Sequence, residues 1–418
     1  MMWFIQLPLE ARLVILAAVG LFAGAFANYL IYSWAYFPRH ISPWAPPHAN
    51  AAPRQRADRI PVLGWFGLRR ERDLHGSGFW LRPLSVEVGL AVVMPTMYWF
   101  YTQTAGLLPE PFRNPQMIAQ FSDWAHALFA VHAVLLVLMV AATFIDFDEQ
   151  TIPDMITLPG TLLALAASVL SWNPWLPSFL AWDAMSPIVQ TTFHAPWEFD
   201  PQWQGELGLA TGLVIWTIWC FALADRHFVM RHGFARAIGY LCHGIRRNPA
   251  SKWLLAMWLV GTVLVLGIWL LSTESWHGLL TSLIGLAVGG GVVWSVRLVA
   301  SAAMGQEAMG FGDVTLMAMI GAVIGWQGAV IAFFLAPMVA IVIVLIQFAV
   351  TRQAAVPFGP YLCLATVIAV VGWDLIWNQT FLDYVLLGQV LFWILVVALT
   401  AMGVMLVLWS WIKRRLLA

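Results

Sequence analysis

The chain has 418 residues, 61% hydrophobic and only 10% charged, with a mean hydropathy of +0.79 and a formal net charge of zero. That balance excludes an ordinary soluble domain, and the lack of a basic excess leaves no global field to recruit nucleic acid. Its three cysteines, Cys220, Cys242 and Cys363, lie far apart in sequence, which excludes a zinc ribbon and a disulfide framework.

Apolar runs of about 18 or more residues read as membrane-spanning helices. In chain order they fall at roughly 13–36, 84–104, 124–145, 155–172, 205–224, 253–272, 278–302, 314–325, 327–350, 358–377 and 385–411. The fold class is therefore all-α and polytopic, with about 8–11 transmembrane helices. The first run follows Glu10 and Arg12 without a basic n-region, so it reads as a retained helix rather than a cleaved signal. The short run after Asp313 is expected to form a tight hairpin with the next around Gly325-Trp-Gln-Gly328. A high tryptophan content, 25 residues, suits the membrane–water interface.

Orientation follows from the basic residues. The loop 37–82 holds Arg39, Arg54, Arg56, Arg59, Arg69, Arg70, Arg72 and Arg82, and the loop 225–252 holds Arg226, Arg231, Arg236, Arg246, Arg247 and Lys252. With Arg352 and Lys413, Arg414 and Arg415, alternate loops carry about 18 of the 21 Lys and Arg. The intervening loops carry Arg113 and acids such as Glu110, Asp183, Glu198 and Asp200. The positive-inside rule then predicts an N-out, C-in topology. It puts Asp146 and Asp313 on the same, cytoplasmic, side.

These two aspartates close and open apolar runs. A carboxylate next to hydrocarbon is costly, which makes it a functional candidate. Two brought together would share a proton, one acting as base toward a water and its protonated partner as acid. That is enough to hydrolyse a peptide without a nucleophile or a metal. Gly310 and Gly312 flank Asp313 without side chains and let backbone approach closely. Read alone, Asp313 is first a helix cap and Asp146 a helix-end acid facing water. Asp148 and Glu149 read as solvated. Asp154, after Pro153, reads as the cap of the next span or as a decoy for the catalytic position.

Together these segments resemble the type IV prepilin peptidases, membrane aspartic proteases of the Gly-x-Gly-Asp type. Gly20 through Tyr32 resembles the family's first helix. Arg59-Ile-Pro61 through Trp65-Phe and Arg82-Pro83 through Glu87 resemble its cytoplasmic loop and second helix. Asp146 through Pro159 resembles the first catalytic segment, Glu307 through Trp326 the second, and Pro357-Phe358-Gly359-Pro360 a late motif. About two-fifths of the chain carries this pattern. The resemblance implies Asp146 and Asp313 as the catalytic pair, with Gly310, Gly312, Asp154, Pro357, Phe358, Gly359 and Pro360 shaping the site. It implies cleavage of the leader of prepilins or pseudopilins after a glycine, at the cytoplasmic face of a bacterial inner membrane.

The chain also departs from the family. Many members carry two Cys-x-x-Cys pairs in the first loop, as for a bound metal; here the loop has none, so no metal site is expected there. The cluster Arg69-Arg-Glu-Arg-Asp73 occupies that region, where ion pairs could order the loop. No nucleotide-binding loop is recognisable to support S-adenosylmethionine-dependent methylation of the new N-terminus, and proteolysis needs no cofactor. Thr315 stands where the family has a lysine. Asp146 and Asp313 are 167 positions apart, which reads as an insertion at about 173–275.

The organisation is then 1–105 with the basic loop 37–82, a first catalytic segment 123–172, the insertion 173–275, a second catalytic segment 278–377, and a final helix within 385–418. His227, His232, Cys242 and His243 in the inserted loop fit no metal spacing, and that basic loop suits anionic lipid better. His126 and His132 read as packed histidines, and Gly289-Gly-Gly291 as close helix packing. Arg297 either snorkels or pairs with a catalytic carboxylate. Pro357 to Pro360 is either a helix breaker or exposed backbone that holds substrate as an added strand. Two rivals stay open: a transporter or proton-relay protein with cation-binding acids, and a catalytically inactive scaffold for pilin assembly. The oligomeric state is not readable.

Overall fold

The computed structural model describes residues 2–170, 175–179, 188–195, 200–224, 249–304, 307, 309–351, 357–381 and 389–416. The elements, in order, are α1 (Leu9–Ser33), α2 (Leu63–Leu68), α3 (Leu81–Thr102), α4 (Ser122–Glu149), α5 (Asp154–Ser168), β1 (Pro177–Phe179), β2 (Ile188–Gln190), α6 (Glu206–Ala222), α7 (Pro249–Leu271), α8 (Thr273–Met304), α9 (Phe311–Thr351), α10 (Gly359–Val371) and α11 (Gln389–Leu416). In hydrocarbon every backbone donor needs an internal partner, and the uncharged runs meet that demand as helices. Six helices among the described residues are long and apolar enough to cross a membrane, or seven if a bent pair is one span. The chain is an all-α, polytopic membrane protein.

Each apolar run predicted from hydropathy overlaps a helix. The run 358–377 is not straight, however. After α10 the chain bends by 73° into a π-helical segment, Asp374–Phe381. The runs 314–325 and 327–350 join as α9, broken at Gly325, whose φ of 78° and ψ of 169° are not helical. A Cβ placed on Gly321 would lie 3.4 Å from the Ala329 Cβ. Eight residues of straight helix would separate them by about 12 Å, so α9 folds back on itself at Gly325, as the expected hairpin does.

Close helix packing surrounds the first leg of α9. A Cβ at Gly285 would run into the Gly321 carbonyl, and one at Gly321 into the Gly285 carbonyl. Gly289 meets the Met317 carbonyl and Gly290 the Ala318 Cβ. Small residues substitute here for the hydrophobic drive that lipid removes. Ser282 adds a hydrogen bond to the Ala322 carbonyl at 2.7 Å. Gly285→Ala or Gly321→Ala is expected to cost roughly 1–3 kcal/mol by overpacking. The measurement is the midpoint of thermal unfolding in detergent.

One face of the bundle carries the ends of α1 and α4, the starts of α3, α5, α9 and α10, and the basic loop 37–80. The opposite face is closed by tryptophans. Trp124, Trp373, Trp326, Trp276 and Trp269 each donate the indole N–H to a carbonyl of the 175–204 segment, at 2.6 to 3.0 Å. Trp377 donates to Ser178 Oγ, and Gln327 to the Thr192 carbonyl. These polar rims on apolar rings suit an interface.

The basic loop is ordered by buried charge. Arg54 pairs with Glu71 at 2.8 Å, the two side chains 5% and 2% exposed, and Arg70 pairs with Asp58 at 2.6 Å. Glu87, inside α3, accepts hydrogen bonds from the Val62 amide, the Trp65 indole and Asn28 of α1. These bonds hold Val62 at a positive φ of 66°, rare for a β-branched residue. The loop is also latched to α4. Arg82 and Arg39 both bind Asp148, and the Glu149 carboxylate accepts the amides of Tyr36 and Phe37. Asp148 is exposed and Glu149 half-buried, as solvated acids are, but each also has partners from the loop.

The Arg70 guanidinium holds the Asp58 carboxyl below the ordinary carboxylate range. A group depressed in this way stabilises the fold above its unfolded pKa, and the contribution is lost as pH falls through the folded one. Acidification below about pH 4 is expected to open the 37–80 loop to limited proteolysis. Asp58→Asn is expected to open it at neutral pH.

Candidate active site

Asp146 sits in the last turn of α4, which ends at once: Gln150 takes the left-handed conformation, φ 53°, and returns its amide to the Asp146 carbonyl. Pro153 then turns the chain into α5, and Asp154 is its first residue. Asp313 lies in the first turn of α9. The two aspartates are 4% and 8% exposed, and the Asp146 charge reaches Asp313. The Asp146 Oδ2 accepts the amide of Gly359, the first residue of α10, at 3.0 Å. Two helix N-termini thus point positive dipole ends at the pair.

Glycine makes this convergence possible. A Cβ on Gly359 would lie 2.6 Å from Asp146 Oδ2 and 2.9 Å from Ile152 Cδ1. One on Gly312 would lie 2.9 Å from the Ile152 N, O and Cβ. Gly310 is exposed, and a Cβ there would be 3.6 Å from Asp313 Oδ2. Pro357 and Phe358 are half-buried, while Pro360 is buried in the first turn of α10. The Pro357 to Pro360 segment therefore starts a helix, and its one polar tie to the pair is the Gly359 amide.

The Asp154 carboxylate receives the Thr315 hydroxyl at 3.5 Å. Thr315, also bonded to the Gly312 carbonyl at 3.1 Å, thereby ties α9 to α5. Cys363, one turn after Gly359, is buried near both aspartates. Residue type alone gave no reason to single out Cys363 or Ile152, although a one-turn spacing from Gly359 places Cys363 on the same helix face.

Arg297 corrects both readings made of it. It neither snorkels to water nor pairs with an aspartate of the pair. It is 8% exposed and binds the Met309 carbonyl and the Glu307 carboxylate. His126 and His132 are buried against α3, bonded to Tyr98 and Tyr101. His227, His232, Cys242 and His243 lie outside the described residues. Among the described residues no three His, Cys, Asp or Glu side chains converge as a metal site. In the basic loop the buried ion pairs of Arg54 and Arg70 occupy the region where thiolates would be needed, so the residues present do not fit a cysteine-held metal.

Residues 251–345, from α7 through most of α9, match the model of the type IV leader peptidase family. The matched segment contains Arg297, Gly310, Gly312 and Asp313, while Asp146 lies before it. No curated protein and no solved structure matches the chain. The segment that carries the Gly310-Phe-Gly-Asp313 turn is thus similar to the type IV leader peptidase family over somewhat less than a quarter of the chain.

Proposed function

We propose that the chain is an aspartic endopeptidase that removes the leader of prepilin or pseudopilin substrates. The observation that carries this reading is the buried pairing of Asp146 with Asp313 between two helix N-termini. One carboxylate takes a proton from a water while the protonated partner donates to the scissile carbonyl. The water oxygen adds to that carbon. Collapse of the tetrahedral intermediate then expels the amine, which takes up a proton. The two carboxyls titrate as one unit. The Gly359 amide fixes one oxygen of Asp146, so its other oxygen is free to face the water. No step runs through a metal or cofactor.

The substrate must present an extended bond, because a helical backbone is occupied by its own hydrogen bonds. Exposed Gly310 offers the side-chain-free approach. The basic loop shares the pair's face of the bundle, which supports a cytoplasmic active site in a bacterial inner membrane. The same Arg-rich surface supports contact with anionic lipid. The pair's position at helix ends, not at the membrane midplane, disfavours the transporter reading.

The test is co-expression with candidate prepilins and mass measurement of the product. Loss of the leader mass supports the proposal, and an added methyl mass would assign a second activity. Intact precursor with every candidate would move the inactive-scaffold reading to the front.

A further inference from the structure

Arg297 lies within α8, seven residues before its end, about 10 Å along the helix axis. A guanidinium at 8% exposure in a span is costly unless its donors are matched. Among the described residues, three contacts tie it to the stretch leading into Asp313. Its Nε donates to the Met309 carbonyl at 2.8 Å, its Nη2 to Glu307, and its Cζ stands 5.6 Å from the centre of the Phe311 ring. Met309 and Gly310 are not helical, so nothing in regular structure fixes the carbonyl that Arg297 holds. On the far side of the turn, Gly312 is stopped by the Ile152 backbone. The turn is thus gripped from α8 and blocked from the α4–α5 connection.

We infer that Arg297 is a positioning residue, a clamp on the Met309–Asp313 turn that sets where the Asp313 carboxyl meets Asp146. This rests on the aspartic-peptidase reading. Among the described residues the Arg297 contacts fall on Glu307, Met309 and Phe311 and not on either aspartate, so its charge serves geometry. Glu307 has a different weight. Its side chain is 72% exposed, so it shields the rim of the guanidinium in a setting where ion pairs contribute little. The held carbonyl is the contact that matters.

The experiment compares wild type, Arg297→Met, Arg297→Lys and Glu307→Gln, purified in detergent. It reads leader-cleavage kinetics and hydrogen exchange by mass spectrometry. Arg297→Met is expected to lower kcat on the order of 10²-fold, the effect of about 1 Å of misplacement, with KM unchanged. Its faster exchange is expected in the Met309–Asp313 turn and not along α8. Arg297→Lys keeps a donor and should fall between, and Glu307→Gln should stay near wild type. Wild-type kcat in Arg297→Met, or in Arg297→Lys should the Met variant not fold, overturns the clamp. So does faster exchange spread over the whole of α8, which marks a merely structural role. If the wild type cuts no leader, the peptidase reading falls instead. Exchange then decides alone: a local rise supports the clamp, and no rise overturns it.

Discussion

Asp146→Asn and Asp313→Asn are each expected to reduce leader cleavage by about 10²–10⁴-fold, the span that positioned acid–base groups contribute. The loss should fall on kcat, because neither change alters volume or removes a surface that binds the leader. Asparagine cannot hold the shared proton, and it cannot take one from water. The two residues act on one water, so the double variant should be scarcely worse than either single one. Asp148→Asn and Asp154→Asn are the matched controls. Asp148 is tied to Arg39 and Arg82, and Asp154 to Thr315, so each should retain far more activity than the catalytic variants. The measurement is product mass and initial rate with a prepilin substrate in detergent. Equal cutting by the Asn variants would remove the aspartic mechanism while leaving the family similarity of residues 251–345 untouched. A loss with Asp154→Asn as deep as with Asp146→Asn would make Asp154 part of the chemistry.

Much of this architecture is legible because hydropathy in a membrane protein is a direct signal. Every span predicted from an apolar run meets a helix, and Gly325-Trp-Gln-Gly328 announces the fold-back of α9 through a residue able to take a positive φ. What the sequence hides are partnerships made across long separations. Asp148 is solvated as read, but its partner Arg82 is 66 positions away. The Gly359 amide reaches Asp146 across 213 positions, and nothing local predicts that bond. Arg297 defeats both simple readings because its partner is a backbone carbonyl, which has no sequence signature. The bend after α10 is hidden for a similar reason. Trp373 and Trp377 are apolar by composition, yet their indoles are tied to Pro177 and Ser178 of the opposite face. The candidate pair itself came from the charge pattern, which set both acids on one face, and from the resemblance. Spacing alone favoured a helix cap and a helix-end acid.

Gly359→Ala is expected to lower kcat by on the order of 10²-fold while leaving the fold intact. The added methyl would sit 2.6 Å from Asp146 Oδ2 and 2.9 Å from Ile152 Cδ1, inside ordinary van der Waals separation. Neither neighbour is backbone, so the protein can relieve the clash by moving two side-chain ends. One of those ends is the catalytic carboxylate. Stability is thereby kept at the cost of alignment, and a displacement near 1 Å is what proximity effects penalise about 10²-fold. The Gly359 amide survives the substitution, so the result separates geometry from hydrogen bonding. Gly312→Ala makes the complementary case. Its methyl would meet the Ile152 N and O at 2.9 Å, and backbone cannot swing aside as a side chain can. That variant should lose stability together with activity. Thermal unfolding and cleavage rate, measured on both variants, test the distinction: activity alone falls at 359, and both fall at 312. A Gly359→Ala protein that cuts at the wild-type rate would show that α10 does not wall the site, and the placement of Asp146 beneath Gly359 would have to be abandoned.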